Sequence, residues 1–232
     1  MDKLSIVVPT YNERENLPKL VESLERTLKG YKFEIIVVDD SSPDGTGEIA
    51  EQLSRKHGNV KVIHREGKKG LASAVTEGFN STKAAVLGVI DADLQHPPEN
   101  ICKMLKEIQN GADIVIASRY KEGGHIEGWS KGRKLISKGA LILVRVVFPK
   151  VRNIRDPVSG FFLIKRETLE GANLDPVGYK VLLEILAKGT YDKVVEVPYA
   201  FRGRKKGKSK LGFKEYLDYL RHIFRLAKST GV

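Results

Sequence analysis

Apolar residues along this chain come in short runs that alternate with stretches of helical spacing. Leu4–Val8 (LSIVV) has strand length and is rich in β-branched side chains. Pro9-Thr10-Tyr11-Asn12-Glu13 follows, and Pro9 is expected to break the strand, because proline cannot continue a central ladder. Asn12 is a good N-cap for a helix through about Leu28, with Glu13 and Glu15 in its first turn. Leu17, Leu20, Val21, Leu24 and Leu28 give that helix one apolar face. Phe33–Val38 predicts a second strand, ending in Asp39-Asp40-Ser41-Ser42-Pro43-Asp44-Gly45. A helix over about Thr46–Lys56, a short strand over Val60–His64 and a helix from Leu71 to about Thr82 come next. Ala85–Ile90 reads as a fourth strand, about Pro98 to Gln109 as a helix, and Ile114–Ala117 as a fifth strand closed by Ser118-Arg119-Tyr120. Strand and helix in alternation, with short connections, predict a mostly parallel, doubly wound α/β sheet.

The second half is less regular. Gly123-Gly124 and Gly128 mark a mobile loop. Lys131–Phe148 reads as a helix with Leu135, Ile136, Leu141, Ile142, Leu143, Val144 and Val147 apolar, and Arg133, Lys134, Lys138 and Arg145 basic. Asp156-Pro157-Val158-Ser159-Gly160 is a turn before a strand at Phe161–Lys165. Val181–Leu186 is helical, and Val194–Pro198 is another strand. Arg202–Lys210 is too charged and too glycine-rich for a buried element. Leu211–Lys228 is a closing helix with Leu217, Leu220, Ile223, Phe224 and Ala227 on one face, and with Arg221, Arg225 and Lys228 available to an anionic surface. No linker separates a second domain, so one domain over 1–232 is expected, with 121–232 as an appended acceptor region.

Composition narrows the class. The chain has 232 residues, 41% of them hydrophobic and 30% charged, which suits a globular domain with a sizeable core. No run of 18 or more apolar residues occurs, so no membrane-spanning helix is expected, and the start reads as a strand and turn, not a signal peptide. The single cysteine, Cys102, excludes an internal disulfide framework and a cysteine zinc site, and is expected to pack on a helix. A reducing cytosol is the default compartment. The net charge is +11, from 40 Lys and Arg against 29 Asp and Glu, which favours phosphates, nucleic acid or an anionic membrane surface. Basic residues concentrate at Lys131–Lys138, Lys150–Arg155 and Arg202–Lys210, whereas Asp39, Asp40, Asp44, Asp91 and Asp93 stand in the first half. That asymmetry suggests a metal- and nucleotide-binding half (1–120) followed by a phosphate-gripping half.

The stretch Ala84–Pro98 (AAVLGVIDADLQHPP) concentrates the candidate chemistry. A buried strand that delivers Asp91 and Asp93 at its end is unusual. Where the chain turns, both acids can converge on one ligand or divide between a sugar and a hard divalent cation such as Mg²⁺ or Mn²⁺. The alternative is that Asp91 caps the helix near Pro97 and Asp93 is solvated loop. His96 reads as a metal ligand or, at the first turn of a helix, as a surface or packing residue. Asp39-Asp40, Asp91-Asp93 and Arg119 end three strands, and a parallel sheet would open all three on one edge. No GxGxxG follows the first strand and no GxxxxGK[ST] occurs, so the usual dinucleotide and P-loop cradles are missing. Gly67–Gly70 is either a backbone phosphate cradle or, the better reading, a lysine-rich surface turn.

The blocks IVVPTYNERENL, VVDDSSPDGT, DADLQHPPE, ASRY, RKLISKGA, DPVSGFF and GKSKL, in that order, resemble family 2 glycosyltransferases of the GT-A fold. Within that family the pattern is most similar to the dolichyl-phosphate mannose synthases, over Leu4 to about Arg225. The resemblance implies an inverting transfer of mannose from GDP-mannose to a polyprenyl (dolichyl) phosphate. It implies that Pro9, Tyr11, Glu13, Val38 and Asp40 line the guanine and ribose region. Asp91, Ala92 and Asp93 would meet the ribose, sugar and diphosphate, and Asp93 and Gln95 would hold Mg²⁺ or Mn²⁺. Arg119, Arg133 and Ser137 would grip the acceptor phosphate, while Lys180, Arg204 and Lys210 would close over the donor.

The residue chemistry is consistent with this. A departing diphosphate gathers negative charge, so a metal with Arg and Lys donors is the useful catalytic set. A phosphate monoester, with a second pKa of about 6, is largely anionic at neutral pH and requires no general base. Asp91, Asp93 and Arg119 are the expected catalytic residues, with proton abstraction by either acid the lesser reading. Paired arginines suit bidentate phosphate recognition. Arg202–Lys210 is either a solvated loop or a lid ordered by nucleotide. The Lys131–Phe148 helix and the last helix are either packed on the core or laid on a membrane surface. Peripheral attachment to the cytoplasmic face of a membrane, alone or through an anchoring partner subunit, is expected. UDP-glucose as donor to the same lipid is the alternative within the enzyme class. A non-catalytic RNA- or nucleotide-binding protein is the alternative outside it, disfavoured by 7% aromatics that do not interleave with the basic runs.

Overall fold

The computed structural model describes residues 3–67, 69–175, 178, 180–203 and 213–231, with backbone alone for 213–218. The first half contains β1 (Leu4–Thr10), α1 (Leu17–Thr27), β2 (Phe33–Asp39), α2 (Thr46–Lys56), β3 (Val60–His64), α3 (Leu71–Asn80), β4 (Val86–Val89), α4 (Asn100–Gln109) and β5 (Ile114–Ser118). The second contains β6 (His125–Ile126), α5 (Lys131–Val147), β7 (Phe162–Lys165), α6 (Val181–Lys188), β8 (Val194–Pro198), β9 (Ala200–Phe201) and α7 (Phe213–Thr230).

Seven strands form one sheet in the order β3-β2-β1-β4-β7-β5-β8. Every neighbouring pair is parallel except those made by β7, which runs against β4 and β5. Alternation along the strands divides the core between two faces. Leu4, Ile6 and Val8 of β1 pack with α1, α2 and α4. Val7 of the same strand packs on the other face with α3, and α5, α6 and α7 pack there too. The mostly parallel α/β sheet flanked by helices is thus as predicted. Cys102 lies on α4, half-buried, with its thiol donating to the Thr27 carbonyl at 3.3 Å.

Several local expectations are corrected. β1 continues through Pro9 to Thr10, pairing Pro9 with Val38. Its ladder with β4 has already ended at Val7, so β1 is flanked on one side only there and the missing N–H is tolerated. α1 starts at Leu17 and not after Asn12. Asn12 is instead left-handed, φ 58°, and its N–H donates to Ser42 Oγ, while Asn16 stands at the N-cap. The Gly123–Gly128 segment is pinned, because β6 pairs in parallel with β9.

The helices of the second half carry two apolar faces. Leu141 and Val144 of α5 and Ile223 and Leu226 of α7 are buried. Leu135, Ile136, Ile142 and Val146 of α5 and Leu220 and Phe224 of α7 point outward, 51 to 77% exposed. The two helices touch, and Tyr219 donates its hydroxyl to the Ala140 carbonyl at 3.0 Å. Leu217 lies outside the described side chains. Among the described residues no helix is long and apolar enough to cross a membrane.

One buried acid secures the far end of the sheet. Glu34 on β2 is almost wholly enclosed and accepts from Ser5, Thr82, Lys3 and Lys61. Burial alone would raise its pKa, but those four donors outweigh burial and bring it down to about 2. A carboxyl with a depressed native pKa adds stability above its unfolded pKa of about 4.5, lost as pH falls towards 2. Lys3 and Lys61 are half-exposed, which trims the contribution to roughly 1–2 kcal/mol. Glu34→Gln should therefore lose that amount in urea melts at pH 7. The gap to the wild type should narrow below about pH 4.5, and a gap unchanged down to pH 3 would overturn this account.

Candidate active site

The carboxyl ends of β1, β2, β4, β5 and β8 share one edge of the sheet. Because β7 runs the other way, its approach loop, residues 156–160, reaches that edge as well. Ligands of open α/β sheets collect there. Among the described residues, the non-glycine positions with positive φ are Asn12, Ser41 and Leu94, directly after β1, β2 and β4. Backbone strain of about 1–2 kcal/mol at each is thus gathered at this edge.

At the ends of β1 and β2 the predicted base and ribose residues come together, but mostly facing inward. Pro9 and Val38 are buried, Glu13 and Asp40 nearly so, and Tyr11 alone of the five is half-buried. Val38 can therefore meet a ligand only through its backbone. Asp40 accepts from Arg65 Nη1 at 2.8 Å and from the Lys69 and Gly70 N–H groups at 2.9 and 2.8 Å. Arg65, 2% exposed at its side chain, also donates to Glu77, Ser73 and the Gly70 carbonyl. The Asp40 side chain is thus a support for the 65–70 loop and not an open ligand contact. The same bonds occupy the Lys69 and Gly70 amides, so these two are not open to a phosphate. The aspartate sits at the start of α3, where the helix field favours negative charge.

The end of β4 presents the acids. Ala92 is buried, while Asp91, Asp93 and Gln95 are half-buried. Leu94, with φ 61°, turns the chain between Asp93 and Gln95. Gln95 N–H donates to Asp93 Oδ1 at 3.1 Å, and its Nε2 donates to the Arg202 carbonyl at 2.9 Å. The amide oxygen is then the acceptor left for a ligand. Among the described residues no three His, Cys, Asp or Glu side chains gather as a metal group. A carboxylate and an amide oxygen still fit a hard cation that takes its other ligands from water and a diphosphate. His96 is packed inside and not on the surface. It is 3% exposed, with Nε2 3.2 Å from Asp91 Oδ2 and Nδ1 2.9 Å from the Tyr199 hydroxyl.

The end of β5 carries Arg119, and here the structure alters the expected role. Asp156, fully buried, accepts from Arg119 Nε at 2.8 Å and Nη2 at 2.7 Å. The bidentate face that would grip a phosphate is therefore occupied, and Arg119 is buried. Burial alone would lower the Arg119 pKa, but the Asp156 carboxylate outweighs it and raises it. The guanidinium carbon lies 5.5 to 5.8 Å from the ring centres of Tyr120, Trp129 and Phe201. Arg133, half-buried on α5 and another residue expected in this group, stacks 4.3 Å from the Trp129 ring centre. Ser137 is 2.9 Å from the Tyr120 hydroxyl. Arg119, Arg133 and Ser137 are thus brought to one place, joined by Tyr120 and Trp129.

Lys180, at the start of α6, donates to the Val158 carbonyl at 3.0 Å. Enclosure of its ammonium, and then the charge of Arg119, push its pKa down to about 7, against the pull of Asp156 and Asp91. Arg204 and Lys210 lie outside the described residues. Sequence reasoning missed Arg65, Asp156, Trp129 and Tyr199. Asp156 stood in the quoted DPVSGFF block, but its partner was not legible there.

Residues 5–171 match the family described as glycosyl transferase family 2. A dolichol-phosphate mannosyltransferase of Pyrococcus furiosus is 54% identical over 99% of this chain and 65% of its own length. One from Saccharomyces cerevisiae is 35% identical over 96% of this chain and 86% of its own length. The chain therefore spans just under two thirds of the Pyrococcus relative. Glucosyl-3-phosphoglycerate synthase from Mycobacterium tuberculosis, solved with Mn²⁺, UDP and glucosyl-3-phosphoglycerate, has a TM-score of 0.73 at 21% identity, covering 99% of this chain and 80% of that one. The same synthase with Mg²⁺ and UDP has a TM-score of 0.74 at 19% identity, covering 99% and 79%. At such identities the likeness concerns the fold alone, an α/β sheet of the GT-A type. With a family match over most of its length and relatives this similar, the chain belongs to glycosyltransferase family 2.

Proposed function

We propose that this chain transfers mannose from GDP-mannose to the phosphate of a dolichol or related polyprenol, with inversion at the sugar. One observation carries the reading beyond the names of its relatives. The Arg119–Trp129–Arg133 group lies beside the first turns of α5, and α5 with α7 presents the outward apolar side chains of the domain. An anion-binding end next to an exposed apolar face suits a phosphate that carries a long prenyl tail. Exposed Lys131, Lys134, Lys138, Arg221 and Lys228 flank that face and favour anionic headgroups. The domain would thus sit on the cytoplasmic face of a membrane, alone or with an anchoring partner subunit, and not on nucleic acid.

In this reading Pro9, Tyr11, Glu13 and Val38 bound the guanosine site, with Asp40 acting from behind through the 65–70 loop. Asp91 and Ala92 meet the sugar and ribose. Asp93 and Gln95 would hold Mg²⁺ or Mn²⁺, which would neutralise charge on the departing diphosphate. Arg133 and Ser137 receive the acceptor phosphate. Arg119 supplies a fixed positive charge and its remaining N–H groups. A phosphate oxygen forms the new bond to the anomeric carbon as the bond to the diphosphate oxygen breaks. The acceptor is already an anion, so neither Asp91 nor Asp93 has to remove a proton. Lys180, Arg204 and Lys210 close over the donor.

The test is transfer of label to a short polyprenyl phosphate, with Mg²⁺ or Mn²⁺, from GDP-mannose and separately from UDP-glucose. Lipid-extractable label from GDP-mannose is expected. Label from UDP-glucose alone would replace the donor, and none from either would remove the reaction. Asp93→Ala should lower turnover at least about 100-fold while leaving the circular dichroism and melting temperature unchanged. Arg133→Ala should raise the KM for the lipid phosphate about 10-fold or more, with the GDP-mannose KM near wild type. An effect on GDP-mannose alone would refute this division of roles.

Lys180 gives a pH signature. With a pKa of about 7 it is mostly neutral at pH 8 in the free protein, and a bound diphosphate should draw a proton onto it. Binding of GDP-mannose at pH 8 should therefore take up close to one proton, read calorimetrically in buffers of different ionisation enthalpy. At pH 6 the lysine is already charged and the uptake should shrink. Lys180→Met should show none at either pH, and equal uptake in variant and wild type would contradict the assignment.

A further inference from the structure

We infer that His96 is a positioning residue that aims Asp91 at the donor sugar, through a hydrogen-bond chain from Tyr199 to His96 to Asp91. The inference rests on the proposed donor site and adds to it a group set aside in the sequence. His96 Nε2 lies 3.2 Å from Asp91 Oδ2, and its Nδ1 lies 2.9 Å from the Tyr199 hydroxyl. A carboxylate only accepts, so the proton must be on Nε2. Nδ1 is left to the Tyr199 hydroxyl, 2.9 Å away on the other side of the ring. Burial, partly offset by Arg119, pushes the Tyr199 pKa well above its ordinary value, so its proton stays in place. Tyr199 therefore anchors the ring from its far side, with Nε2 turned towards Asp91 Oδ2.

The imidazole cannot easily turn. Phe161, Tyr199 and Phe201 surround it with ring centres 5.3 to 5.5 Å away, on two segments, one before β7 and one after β8. Asp91 is confined from another side by Gly160, where an added Cβ would stand 3.0 Å from Oδ2. The carboxylate is thus held by one oxygen. The other, Oδ1, has no partner among the described residues although it is enclosed. A buried carboxylate oxygen without a donor is costly, and a sugar or ribose hydroxyl would offset that cost. Without His96 the carboxylate could rotate, and the hydroxyl would meet it at the wrong angle.

Four proteins test this: wild type, His96→Leu, His96→Gln and Tyr199→Phe. Long-range ¹H–¹⁵N spectra of histidine-labelled wild type should show His96 carrying a proton on Nε2. Tyr199→Phe should keep the proton on Nε2 but move the Nδ1 resonance, and should lower kcat in the same direction as His96→Leu but by less. In turnover, His96→Leu should lower kcat at least 10-fold with the lipid-phosphate KM unchanged. His96→Gln, whose amide can still donate towards Oδ2, should recover much of that loss. In calorimetry, His96→Leu should weaken GDP-mannose more than GDP. Wild-type kcat in His96→Leu, or a ring with no proton on Nε2 in the wild type, would overturn the inference. If the wild type transfers no mannose, the proposed reaction falls while the tautomer and binding measurements still decide the role of His96.

Discussion

Asp156 is out of reach of water, and its carboxylate accepts from the backbone N–H, Nε and Nη2 of a single residue, Arg119. Removing two charges from water is expensive, and only close, fully bonded geometry compensates for it. That requirement ties the end of β5 to the loop that leads into β7. It also fixes the plane of the guanidinium, and with it the aromatic group of Tyr120, Trp129 and Phe201. Loss of either partner would strand a buried charge, at a cost of about 3–5 kcal/mol. Around this pair the rest of the site is arranged: Lys180 and Tyr199 both feel its two charges.

Two arginines of the site are already paired with carboxylates. Arg119 is offset by Asp156, and Arg65 by Asp40 and Glu77. Other charged groups are divided by position. Asp91 and Asp93 stand at the end of β4, whereas Arg133 stands on α5 beside the outward apolar face. Such a division suits a donor held through a cation at one end and an anionic lipid acceptor at the other. Lys180, near its pKa at neutral pH, can adjust its charge to what arrives. The exposed face of α5 and α7 has a separate physical origin. Leu141, Val144, Ile223 and Leu226 face the core, whereas Leu135, Ile142, Val146 and Phe224 are exposed among the described residues.

Much of the fold was legible because its information is local. Runs such as IIVV and VIA, separated by helical spacing, report which residues can be buried together, and α2 and β3 fall where that pattern puts them. The start of α1 was not legible. Asn12 has the chemistry of a cap, but a bond to Ser42, on the loop after the neighbouring strand, holds it in a left-handed turn. The direction of β7 was not legible either, since an apolar run carries no sign of which way its partners run. The β6–β9 pair escaped because two residues leave no periodicity.

The sequence by itself determined the alternation of strands and helices, the placing of acids and an arginine at strand ends, the basic second half, and the family. These depend on residue type and spacing along the chain, which burial and turn chemistry read directly. Only the tertiary structure decided what each charged side chain does. Asp40 turns to Arg65, Arg119 turns to Asp156, and His96 joins Asp91 to Tyr199, across gaps of 25, 37 and 103 residues. The reason is physical: a buried polar group must find its partner in space, and nothing in its own segment says where that partner will be.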